Sequence, residues 1–116
     1  MSPSTVKLYG ASESHKKAIE LYLRNWGIPP MVKGYSYILT VLLIMTNYDY
    51  TLDDAYAEAA FQYWSTSRRI EQAIRHAIEI SWSWESEKSL RNIYPSAQMP
   101  TNEEFLLFVQ TNILTT

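Results

Sequence analysis

At 116 residues the chain is the size of one domain, and its 47% hydrophobic and 14% aromatic content supplies a real core, which excludes linker and disordered classes. There is no cysteine, so a disulfide framework and a thiolate metal site are excluded as well. A formal net charge of -2 argues against a uniformly basic nucleic-acid binder and allows only a local basic face.

In chain order, residues 1–13 read as a short polar, Ser-rich segment, expected to be flexible, ahead of a single domain over 14–116. No basic region followed by an apolar signal segment opens the chain, so the expected location is cytoplasmic. A first helix is expected from about Ser14 to Trp26, burying Ile19, Tyr22, Leu23 and Trp26 and stopping at Gly27. A second is expected from about Pro30 to Thr46, with a nearly all-apolar middle that marks it as the hub of the packing. Its apolar run, Tyr35 to Met45, contains Ser36 and Thr40 and is shorter than the roughly 17 to 25 residues that cross a bilayer.

Thr51 to Tyr63 reads as a short third helix. Thr51 with Asp54 three residues on resembles a capping box, and Ala55, Ala59 and Ala60 let another helix approach closely. Trp64, Ser65 and Thr66 form a break, in a turn without glycine. An amphipathic segment follows over residues 65–82, with the helix proper from about 67: Ile70, Ala73, Ile74, Ala77, Ile78 and Ser81 recur at steps of three and four, which leaves Arg68, Arg69, Gln72, Arg75, His76 and Glu79 facing outward. Its cap rests on Thr66 or Ser67. A fifth helix is expected around Glu87 to Ile93, bounded by Pro95, and Thr101 with Glu104 is a T-x-x-E box opening a sixth, whose buried stripe is Phe105, Phe108, Val109 and Ile113. The fold class is therefore all-α, a compact six-helix domain containing a helix-turn-helix.

The string Arg69-Ile70-Glu71-Gln72-Ala73-Ile74-Arg75-His76-Ala77-Ile78-Glu79, continuing to Trp82-Ser83, strongly resembles the recognition helix in the C-terminal effector domain of the master sporulation response regulators of endospore-forming Firmicutes. Gly27-Ile28-Pro29-Pro30 through Lys33-Gly34-Tyr35 and Tyr37, and Pro100-Thr101-Asn102 before Glu104-Phe105, match that family in the same order, over roughly residues 15 to 114. The chain departs from the family at Gln72, where Arg is usual, at Arg68, where a capping Ser is common, and at Trp84-Glu85 in place of Arg-Gly. Its connection to the last helix is also several residues shorter. The resemblance implies an effector without its receiver domain that binds duplex DNA at tandem sites as a head-to-tail homodimer, with the last helix near the protein contact, and that contacts RNA polymerase.

The DNA-binding residues expected on this basis are Ser65, Thr66, Ser67, Arg68, Arg69, Glu71, Gln72, Arg75 and His76. Arg69 is suited to bridging guanine O6 and N7. Glu71 can accept from cytosine N4 or pair with Arg75 one turn on, and Gln72 can read adenine or water. Arg68, Ser65, Thr66, Ser67, Arg75 and His76 suit phosphates, which position a helix without reading sequence. For His76 a solvent-facing position without a role is equally open. The four tryptophans are expected mainly in the core, with Trp84 alone a candidate partner contact. His15 and His76 are far apart in sequence, the paired carboxylates Asp53-Asp54, Glu85 with Glu87 and Glu103-Glu104 sit in loops or at helix starts, and only Gly10, Gly27 and Gly34 occur. No catalytic residue, cofactor or metal site is expected. The alternative function is an interaction protein that uses the same fold to pair with a full-length regulator or polymerase, in keeping with the acidic body and altered recognition helix.

Overall fold

Six helices and no strand make up residues 11–114, which a computed structural model describes: α1 (Ala11–Asn25), α2 (Lys33–Asn47), α3 (Leu52–Gln62), α4 (Ser67–Ser83), α5 (Leu90–Ile93) and α6 (Asn102–Leu114). The segment expected to be flexible over 1–13 lies mostly outside the described residues, and 11–13 belong to α1. None of the described helices is long and apolar enough to cross a membrane.

Helix α2 is the hub. Tyr35, Tyr37, Ile38, Val41, Leu42, Leu43 and Ile44 are all buried on it, and α1, α3, α4 and α6 pack around it. It begins at Lys33 rather than Pro30, because Pro30 takes the second position of a turn closed by the Val32 N–H donating to the Pro29 carbonyl at 3.3 Å, and Val32 is extended. The aromatic side chains join the outer helices into a second layer. Trp26 of the α1 end stacks with Tyr22 at 5.1 Å and Phe108 at 5.2 Å, and Phe108 meets Tyr94 edge-on at 5.1 Å. Helix α5 is shorter than its sequence pattern predicts: residues 86–89 close into a turn, the Ser89 N–H donating to the Ser86 carbonyl at 3.1 Å, and Asn92 Nδ2 donates back to the same carbonyl at 2.6 Å.

The helix ends follow their sequence signals. Thr51 Oγ1 caps α3 by accepting from the Asp54 N–H at 3.2 Å. Thr101 and Glu104 form a reciprocal box at α6, at 2.9 and 3.1 Å. Helix α1 ends at Gly27, whose φ of 86° is the left-handed conformation, with the Ile28 N–H returning to the Leu23 carbonyl at 2.9 Å. That is a Schellman closure with glycine in its usual place.

Candidate nucleic-acid interface

The inner face of α4 fixes the helix. Ile70, Ile74, Ala77 and Ile78 are fully buried, Ala73 is half-buried, and Ser81 Oγ donates to the Trp26 carbonyl. The approach to α2 is very close: a Cβ on Gly34 would overlap the Ala73 carbonyl oxygen and come within 2.6 Å of the Ala77 Cβ. With two alanines and a glycine the helices meet at backbone distance, and the buried isoleucines on either side lock the inner face, so the outer face has little freedom to roll.

That outer face carries Thr66, Ser67, Arg68, Arg69, Glu71, Gln72 and His76, all exposed, with Ser65 half-buried at its foot. Thr66 is the cap, its Oγ1 accepting from the Arg69 N–H at 3.2 Å, which orients the first turn. Arg75 is placed differently from the sequence reading. It is half-buried, and its Nη1 donates to the Pro100 carbonyl at 2.7 Å, so the guanidinium reaches across to the loop before α6 instead of pointing straight outward. Asn102 strengthens the same junction, with Nδ2 donating to the Glu71 carbonyl at 2.9 Å and to the Tyr56 hydroxyl at 3.3 Å.

The turn between α3 and α4 has the Schellman closure seen at Gly27, with the Ser65 N–H donating to the Ala60 carbonyl at 2.9 Å and the Trp64 N–H to the Phe61 carbonyl at 3.4 Å. Here the left-handed position is filled by Trp64, with φ of 54°. The expectation that Trp64 is core material fails: it is 97% exposed. Trp84 is 40% exposed and lies over Gly27, whose missing Cβ makes room for the indole. Tyr63 anchors the turn to α2 through an edge contact with Tyr37 at 4.8 Å and a hydrogen bond shared with Thr40 Oγ1 at 2.8 Å.

Electrostatics divide the helices into two groups. Helix dipoles favour carboxylates at N-termini, and α1, α3 and α6 obey with Glu13, with Asp53 and Asp54, and with Glu103 and Glu104. Helices α2 and α4 have no acid in their first turns. They carry Lys33 in one and Arg68 and Arg69 in the other, cations where the dipole disfavours them. Lys33 and Arg69 line a single depression of about 340 Å³ with Tyr37, Tyr63, Trp64, Ser65, Gln72 and Ala73, and none of these lining residues is a carboxylate. On the other flank of α4 the opposite holds: Asp53, Glu71 and Glu103 border a hollow of about 460 Å³ beside Gln72 and Arg75. Among the described residues no cluster of three or more potential metal ligands is present.

Comparison with protein families matches residues 19–113 to the family described as sporulation initiation factor Spo0A C terminal. The chain belongs to that family. The match runs from Ile19 in α1 to Ile113 in α6 and includes both helices of the helix-turn-helix. Spo0A C-terminal domains are DNA-binding effectors of sporulation, a transcription-factor family and not an enzyme family. Sequence reasoning gave Lys33 and Asn102 only as parts of family-matching motifs and Trp64 only as a turn residue expected in the core, and none of the three as a site residue. The glycine-free turn did hold a clue to Trp64, since some residue there had to take the left-handed conformation.

Proposed function

We propose that this domain binds duplex DNA sequence-specifically, in the cytoplasm, by laying α4 in the major groove. The observation that carries the reading is the exposed row Arg68, Arg69, Gln72 and His76 on a helix whose other face is locked into the core. A major groove is about as wide as one helix, and its base edges match the planar forks of Arg and Gln. Arg69 and Gln72 are assigned to bases, with Glu71 beside them. Ser65, Thr66, Ser67, Arg68 and His76 are assigned to phosphates, and Arg75 to whichever phosphate its loop-tethered guanidinium can still reach. Head-to-tail pairing on tandem sites, with α6 near the contact between copies, and a contact with RNA polymerase complete the proposal.

The test is a salt titration of binding to random and to selected duplexes. A DNA reader gives a negative log-log slope reflecting several phosphates, with tighter binding to the selected sequence. No binding at low salt would remove the reading. An open groove of about 960 Å³ lined by Ile28, Pro29, Pro30, Ile80 and Trp84, with Arg24, His76 and Glu79 also contributing, favours the second reading, an interaction protein that pairs with a full-length regulator or polymerase. That outcome is marked by tight pairing with such a protein in the absence of any affinity for DNA.

A further inference from the structure

Trp64 holds a conformation that residues other than Gly and Asn rarely adopt, and although its backbone closes the turn, the fold leaves its side chain unpacked. Its φ is 54° and its surface is 97% exposed, so no internal packing of the indole offsets the backbone strain. Gly or Asn would close the same turn with less strain, so a fully exposed tryptophan there points to a contact made outside the chain. Trp64 lines the depression that also holds Lys33, Ser65, Arg69 and Gln72. Arg69 and Gln72 belong at once to this depression and to the proposed base-reading face, so the two surfaces are continuous.

The cations define the occupant. Lys33 and Arg69 approach from the first turns of two helices that have no acid there, and no carboxylate lines the space between them. The turn of a helix-turn-helix precedes the residues that reach the base edges, so a group standing on it faces the strand bordering the groove. We propose that the depression between the α3–α4 turn and the start of α2 clasps the sugar–phosphate backbone flanking the major-groove site, with the Lys33 ammonium on a phosphate and the Trp64 indole against the neighbouring deoxyribose. This rests on the DNA-binding reading above and adds a contact from outside the helix-turn-helix. The acidic hollow on the opposite flank of α4 repels the other strand, so the domain leans towards the Lys33 side.

The two residues leave different signatures. A phosphate contact releases a counterion and an apolar contact does not, so Lys33→Gln flattens the salt slope by about 0.9 on specific and random DNA alike. Trp64→Asn leaves the slope unchanged. It weakens binding by about tenfold, the effect of uncovering roughly 60 Å² of apolar ring. Asn accepts the left-handed conformation at this position, so the variant melts at the same temperature as the wild type or higher. The measurement is anisotropy of a labelled single-site duplex across a salt series for the wild type, both variants and the double variant, alongside thermal melts.

Wild-type protein that ignores duplex DNA at low salt would remove the parent reading. Wild-type binding matched in affinity and slope by both variants would overturn the clasp alone. Full single-site affinity of Trp64→Asn with loss only on tandem duplexes would also overturn it, since the ring would then face a second copy.

Discussion

Arg69 and Arg75 are alike in the sequence and unlike in the fold. Arg69 is exposed in the first turn of α4, with its backbone N–H held by Thr66, whereas Arg75 is tied at 2.7 Å to the Pro100 carbonyl. Arg69→Ala is expected to cost about 1–3 kcal/mol on the selected site and far less on random DNA, as removal of a bidentate base contact does. Arg75→Ala is expected to lower folding stability by about 1 kcal/mol by orphaning the carbonyl, with equal losses on both kinds of DNA. Paired binding and urea-unfolding measurements check both, and equal losses for Arg69→Ala would exclude base reading by that residue. Gln72 sets a further residue-scale outcome. Gln has one donor and one acceptor to match adenine N6 and N7, whereas Arg has only donors, which match guanine O6 and N7. Parallel site selection should show adenine or no preference under Gln72, guanine for Gln72→Arg, and higher affinity for that variant. Identical selected sequences would place residue 72 away from the bases.

At the scale of helices, the crossing of α2 and α4 sets where the candidate interface stands. Gly34→Ala places a methyl group against the Ala73 carbonyl, which is backbone and cannot swing aside, so the helices must separate. The expected cost is about 1–3 kcal/mol in urea unfolding, with DNA affinity falling because the face of α4 shifts relative to the α2 start. A variant as stable as the wild type would mean the crossing is looser than its geometry. This contact also shows where sequence reading stops. The α4 stripe, the caps at Thr51, Thr66 and Thr101 and the glycine stop at residue 27 were legible because each depends on neighbours within about a turn of helix. Gly34 against Ala73 and Arg75 on Pro100 depend on which helices meet, and no local period encodes that. Trp64 lies between the two cases: its turn was legible, but the position it takes in the turn, and hence its exposure, follows from where α3 stops.

For the whole molecule, net charge of -2 conceals a polarised surface, basic at the turn and acid at the starts of α1, α3 and α6. The acidic flank of α4 also acts on one of three perturbed phenols. Tyr48, Tyr56 and Tyr94 have pKa values raised above the ordinary 10.0, each mainly by burial, and for Tyr56 the carboxylates of Glu71, Asp53 and Glu103 add to the rise while the Asn102 hydrogen bond opposes it. A phenol harder to ionise in the folded state than in the unfolded chain holds its proton longer when folded. Its contribution to stability is therefore complete below about pH 10 and is lost as pH rises from there through the raised folded value. Urea midpoints should be insensitive to these three groups up to about pH 9 and should fall beyond about pH 10. Tyr56 is the phenol that ties α3 to α6 through Asn102, so Tyr56→Phe should make the alkaline fall shallower while lowering folding stability near neutrality by about 1 kcal/mol for the lost hydrogen bond. An alkaline fall as steep in Tyr56→Phe as in the wild type would show that Tyr56 ionises equally well folded and unfolded.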